Sequence, residues 1–294
     1  MIRKPAVAGL FYDSKPEDLK KSIENCFKHR LGPGKIPKLG IPRDFNEFEN
    51  KTSGNYQKNI YGSIIPHAGY VYSGPIAAHA YYKIVENGYP ETFVLLCPNH
   101  TGLGTGISIF NEGKWNTPFG DVEVDVEFAN EMILNSDFIN CDNLAHTNEH
   151  SCEVHLPFLQ YFSNDFKIVP IVMWIQDMET SKDIAEAIVK TTKKLKRPVS
   201  IIASTDLTHY ESSSVAEKKD TLILDAIKNM DEFALLNSVE NHNITMCGYG
   251  PTIATIKASR AFGAKKGEIL KYGNSGDISG DLNSVVGYCS GIFL

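Results

Sequence analysis

The 294-residue sequence has no run of the ~18–20 apolar residues that a membrane helix needs. Its opening, Met1-Ile2-Arg3-Lys4-Pro5, lacks the apolar core of a secretory signal. Basic charge is not in excess. With 29 Lys+Arg against 35 Asp+Glu the formal net charge is −6, so the field that attracts a phosphate backbone is missing and nucleic acid is not expected as a partner. The Lys-rich piece Lys190–Arg197 is too short to change this. The six cysteines form no CxxC pair and no closely spaced framework, which leads us to expect a cytoplasmic protein with reduced thiols and no membrane association. No GxGxxG follows a strand, and GxxxxGK[ST], GxSxG and HExxH are absent, so nucleotide-dependent, serine-hydrolase and two-histidine zinc-protease chemistry lose their usual signatures.

What is present is enough apolar material for a large core, 42% hydrophobic and 10% aromatic residues. Asp13-Ser14 can cap a helix over Pro16–His29, where Leu19, Ile23 and Phe27 recur at four-residue spacing. Residues 31–59, with four glycines, three prolines and the aromatics Phe45 and Phe48, read as a loop or flap. Short uncharged runs at Ile60–Ile65, Phe93–Leu96, Ile168–Met173 and Val199–Ala203 read as buried strands. They alternate with segments that read as helices at Pro75–Glu86, Val126–Leu134, Glu153–Phe162, Thr180–Leu195, Ser213–Asn229 and Thr252–Ala261, a pattern of three α/β/α layers. Glu268–Tyr272 and Ser284–Phe293 both read as strands with no helix between them, so the sheet is expected to be mixed.

Ligand-binding residues of an open α/β sheet collect beyond the carboxyl ends of its strands. Three such ends carry a histidine: Pro66-His67, Pro98-Asn99-His100, and Ser204-Thr205-Asp206-Leu207-Thr208-His209. One alone reads as a polar loop residue; three converge if their strands are neighbours, and imidazole is the commonest ligand for Zn, Fe, Cu and Ni. Cys247, ahead of Gly248, Gly250 and a helix start, is either a small buried hydrophobe or a thiol whose pKa the helix N-terminus lowers. In His146–Pro157, Glu153 reads either as a first-turn carboxylate of a helix starting near Ser151 or as part of the pocket wall. In the second case His150 or Glu153 orients a metal ligand.

Five segments, in order, resemble the motif set of the Memo family, whose prokaryotic members are called AmmeMemoRadiSam system protein B. They are Pro66-His67-Ala68-Gly69-Tyr70-Val71-Tyr72-Ser73-Gly74, Pro98-Asn99-His100, Glu149-His150-Ser151-Cys152-Glu153-Val154-His155-Leu156-Pro157, Asp206-Leu207-Thr208-His209 and Thr245-Met246-Cys247-Gly248. The likeness runs from about Arg3 to the C-terminus. It implies the fold of the class III extradiol (LigB-type) dioxygenases: one three-layer α/β/α domain over residues 1–294, with a mixed sheet and a site at one sheet edge. It also implies a mononuclear Fe(II) or Cu held by His67, His100 and Cys247, with His209 as acid/base and Asp206 beside it. Cys247 stands where those dioxygenases have a glutamate ligand, and a thiolate softens the site toward copper or iron in another electronic state.

Two roles follow from the resemblance. The first is a metal-dependent oxidoreductase acting on a small molecule; the second is a peptide- or protein-binding scaffold built on the same pocket, with Phe11, Tyr72, His67, Asp206, His209 and Cys247 as its contacts. Position 11 is a tryptophan in many relatives and a phenylalanine here. The family name further implies association with an AMMECR-type protein and a radical SAM enzyme, whose CxxxCxxC motif this chain lacks. A zinc-dependent hydrolase is a third reading, since a His/His/Cys set with an open position also suits Zn.

Overall fold

Thr92-Phe93-Val94-Leu95-Leu96-Cys97-Pro98 carries no charge, and a strand apolar on both sides must be covered on both faces. The computed structural model, which describes residues 1–41, 45 and 59–294, sets this segment inside a 12-stranded mixed sheet. The strands are β1 (Ile2–Arg3), β2 (Gly62–Ile65), β3 (Thr92–Pro98), β4 (Ile107–Ile109), β5 (Lys114–Thr117), β6 (Gly120–Val124), β7 (Ile139–Cys141), β8 (Lys167–Met173), β9 (Val199–Ser204), β10 (His209–Glu211), β11 (Gly267–Asn274) and β12 (Val285–Phe293). The described helices are α1 (Pro16–Lys28), α2 (Tyr70–Asn87), α3 (Val126–Leu134), α4 (His155–Gln160), α5 (Met178–Leu195), α6 (Ser213–Lys228), α7 (Glu232–Asn241), α8 (Tyr249–Phe262) and α9 (Gly276–Ser279). Among the described residues no helix is long and apolar enough to cross a membrane.

The strand order is β1-β5-β6-β8-β3-β9-β2-β12-β10, with β11 also on β12 and β4 on β8. From β6 to β2 neighbours are parallel. The last strand, β12, is antiparallel to both β2 and β11, which makes the sheet mixed as expected. Side chains alternate across it with the period of two that a strand imposes. Val94 and Leu96 of β3 join the layer of α3, α5, α6, α7 and α8; Phe93, Leu95 and Cys97 join that of α1, α2 and α4. A single α/β unit with a helical layer on each face results.

Several local expectations are corrected. Helix α1 takes Lys15 as its N-cap with no side-chain cap, not Asp13-Ser14; Pro16 at its start and Glu17 and Asp18 in its first turn supply the helix-start chemistry instead. Helix α2 begins at Tyr70, five residues before Pro75. Proline there withholds one N–H from the second turn, and Val71, whose carbonyl would have taken it, is on the exposed side. Helix α7 is not legible in the sequence pattern because it buries only Glu232 and Leu235. It is held by the Asp231 side chain capping Phe233 and Ala234, and by Glu232 paired with Lys257 and Arg260. The short helix α9 separates β11 from β12. Of the flap expected over 31–59, residues 42–44 and 46–58, Phe48 included, lie outside the described residues.

Candidate metal centre

β3, β9 and β2 lie side by side and run parallel, so their carboxyl ends open at one edge of the sheet. There the chain leaves as Asn99-His100, Thr205-Asp206 and Pro66-His67, and the three histidine-bearing segments meet in part as their context implied. One ring nitrogen from each of His67, His100 and His150 lies within 4.8 Å of the other two, a group that could hold a metal ion. His67 and His100 come from strand ends; His150 comes from the loop ahead of α4.

Each ring is held from behind. His67 is 2% exposed; its backbone N–H donates to Asp206 Oδ1 (2.9 Å), and its Nδ1 lies 2.7 Å from Ser204 Oγ. Burial, then the neighbouring imidazoles, keep its pKa well below the usual 6.5. His100 is gripped twice by Glu149, its backbone N–H on Oε2 (2.5 Å) and its Nδ1 on Oε1 (3.0 Å). His150 Nδ1 lies 3.3 Å from the same Oε1. Its ring stacks on His100 with centroids 4.7 Å apart, and Phe11 packs against it, also at 4.7 Å. Burial brings His150 down to about 4 against the opposing pull of Glu149. Neutral near pH 7, His67 and His150 keep a lone pair for a metal.

Glu149 is a residue that the sequence reading did not single out. Burial alone would raise its carboxyl, but the bonds and charge from His100, then the charge of His150, outweigh this and bring it down to about 2. Of the carboxylates in this segment it is Glu149, and not Glu153, that bonds to the His100 ring. The usable signal was its place directly before His150, on a chain that must turn back on His100.

Glu153 lies elsewhere. No helix starts at Ser151; α4 begins at His155, and the Glu153 carboxylate, fully buried, pairs with Arg3 and accepts from the backbone N–H groups of Ala6 (2.7 Å) and Val7 (3.1 Å) and from Tyr12 Oη (2.6 Å). Arg3 also donates to the carbonyls of His146 (2.9 Å) and Glu149 (2.6 Å). The N-terminal segment thus clamps the loop that carries His150 and delivers Phe11 to its ring.

Cys247 is outside the three-histidine group, yet its Sγ lies 3.3 Å from His67 Nε2 and accepts the Asp206 N–H at 3.2 Å. Gly248 allows this approach, since a Cβ there would meet the Ser204 carbonyl oxygen at 2.3 Å. The expectation of a lowered thiol pKa is corrected: although α8 starts two residues on, burial and the Asp206 carboxylate push the thiol up. Burial also pushes Asp206 up, to about 6, against the backbone N–H of His67. His209 is half-buried, its N–H on Thr245 Oγ1 (2.7 Å) and its Nδ1 2.8 Å from the Thr245 carbonyl oxygen. Tyr72 stands in the first turn of α2, 45% exposed.

The expectation of six reduced thiols is also corrected. Cys97 and Cys152 form a disulfide, both buried, while Cys26, Cys141, Cys247 and Cys289 are free. It joins the end of β3, three residues before His100, to the loop two residues after His150. Fifty-five positions of sequence separate the partners, so no local spacing announces them.

A protein-family model described as Memo-like protein matches residues 3–292. A MEMO1 family protein of Methanobrevibacter smithii is 52% identical over the full length of both chains. Another, from Methanothermobacter thermautotrophicus, is 48% identical over 98% of this chain and 99% of its own. A third, from Sulfurisphaera tokodaii, is 44% identical over 99% and 98% respectively.

Proposed function

The chain belongs to the Memo-like family, and from that membership we propose that it is a metal-dependent oxidoreductase with a mononuclear Fe(II) or Cu site at His67 and His100, completed by His150 and Cys247. The observation that carries the reading is the convergence of three imidazoles whose Nδ1 atoms already face protein oxygens, which leaves the opposite ring nitrogens for a ligand, that of His67 facing Cys247 Sγ. Iron or copper bound there would supply one-electron chemistry and an open position for oxygen and a small substrate. Zn also suits three histidines, and the bound metal decides between redox and hydrolytic chemistry.

His209 is the acid/base of this reading. A carbonyl oxygen only accepts, so the contact with Thr245 makes its Nδ1 the protonated nitrogen and leaves Nε2 to take a proton from substrate. Asp206 holds the His67 backbone and keeps a carboxyl beside both His67 and Cys247. Cytoplasmic association with an AMMECR-type protein and a radical SAM enzyme belongs to the same proposal, and co-purification from native extract tests it.

Elemental analysis of anaerobically purified protein tests the centre. One equivalent of iron or copper is expected in the wild type and none in His67→Ala; His150→Ala and Cys247→Ala report which group completes the set. His209→Ala should keep its metal and lose oxygen consumption with phenolic substrates. Full metal content in His67→Ala would sink the assignment.

A further inference from the structure

Ser204 Oγ has three polar neighbours, each at 2.7 Å: His67 Nδ1, His155 Nε2 and the carbonyl oxygen of Ser151. A hydroxyl has one hydrogen to give and two lone pairs to receive with. The Ser151 carbonyl can only accept, so it takes that hydrogen. Both ring nitrogens must then carry hydrogens of their own and donate to Ser204. His155, protonated on Nε2, presents a bare Nδ1, and Tyr81 Oη donates to it at 2.6 Å. The whole chain is inaccessible to solvent: Ser204 is 0% exposed, and His155 and Tyr81 1% each. Water cannot substitute for a missing partner, and each alternative arrangement leaves a buried polar atom unsatisfied.

The consequence reaches the centre. Protonation of His67 on Nδ1 places its lone pair on Nε2, the nitrogen facing Cys247 Sγ at 3.3 Å. We propose that Ser204, with His155 and Tyr81 behind it, is a positioning relay that holds His67 in the one tautomer able to bind a metal through Nε2. The sequence segment His155-Leu156-Pro157 thereby acquires a role that the strand-end histidines did not explain. The relay ends at Tyr81, whose ring stacks on Phe158 at 4.4 Å in the interior, so it orients a proton and does not conduct one to solvent.

This inference rests on the metal reading above, but half of its test does not need a metal. In metal-free protein labelled with ¹⁵N-histidine, ring ¹⁵N shifts assigned with a His67→Gln control should show His67 protonated on Nδ1. Ser204→Ala should release it to a mixture of tautomers and weaken binding of Co²⁺, followed by its visible absorption, by about tenfold or more. Ser204→Thr, which restores a hydroxyl, should return both readouts toward wild type. Tyr81→Phe, which deletes one oxygen far from the ion and keeps the ring, should weaken Co²⁺ by about threefold and serves where Ser204→Ala does not fold. A wild-type His67 protonated on Nε2, or a folded Ser204→Ala protein with unchanged Co²⁺ affinity, would overturn the proposal. A wild type with the expected tautomer that takes up no Co²⁺ overturns the metal reading instead, and with it the purpose assigned to the relay.

Discussion

Glu149 holds His100 at two points, accepting from its backbone N–H at 2.5 Å and its ring Nδ1 at 3.0 Å. One carboxylate thereby fixes the position of a strand end and the rotation of the imidazole that the strand delivers. Second-layer carboxylates of this kind commonly change metal affinity by about 10–100-fold. Glu149→Gln should keep the fold and weaken metal binding in that range. Its carboxyl, brought down to about 2, also contributes stability that is complete above the ordinary glutamate value of about 4.3 and lost as pH falls through about 2. Urea unfolding of metal-free protein between pH 7 and pH 2 should show a wild-type advantage over Glu149→Gln, on the order of 3 kcal/mol at pH 7, that vanishes at the acid end. A constant difference across that range would contradict the assignment.

Asp206 has the opposite sign. Its carboxyl, raised to about 6 by burial, stays neutral in the folded protein between about pH 4 and 6, where an unfolded aspartate has already ionised. The metal-free protein therefore loses stability as pH rises from about 4 through 6. Asp206→Asn, which still accepts the His67 N–H, should be the more stable protein at pH 7 and equal to wild type below pH 4. Equal stability at both pH values would show that Asp206 is charged without cost.

Glu153 and Arg3 form a buried ion pair, and removing one partner strands the other charge. Loss of about 3–5 kcal/mol is typical. Arg3→Ala should lower the melting temperature by roughly 10 °C. Because Arg3 also grips the Glu149 carbonyl, the same variant should weaken metal binding; intact binding in the destabilised protein would confine the pair to folding.

Thiol titration of denatured, unreduced protein should find four free cysteines of six, and peptide mapping should join Cys97 to Cys152. A loop of this length restricts the unfolded chain by about 4 kcal/mol. Reduction, or Cys152→Ala, should lower thermal stability and loosen the spacing of His100 and His150. Six titratable thiols would remove this link.

The central strands were legible because β3, β9 and the Ile168–Met173 part of β8 are uncharged runs that can lie only between two layers. The helices were legible where, as in α1, an apolar stripe repeats every four residues. β1, β4, β5, β7 and β10 were not, since strands of two to four residues that lie in no longer apolar run have no period and exist only by pairing. His67, His100 and Asp206 stood out because strand ends are where such folds collect chemistry. The pairing of Cys97 with Cys152 had no comparable signal.

By itself, then, the sequence determined the layered α/β plan, the strand ends that carry imidazoles and the family to which the motifs belong, because these follow from composition and spacing along the chain. Tertiary structure alone decided that Glu149 and not Glu153 steadies His100, that His150 joins the histidine group, and that Ser204 sets the tautomer of His67. Each of these turns on which buried polar atoms come within hydrogen-bond reach once water is gone, and that distance is set by packing between segments far apart in the chain.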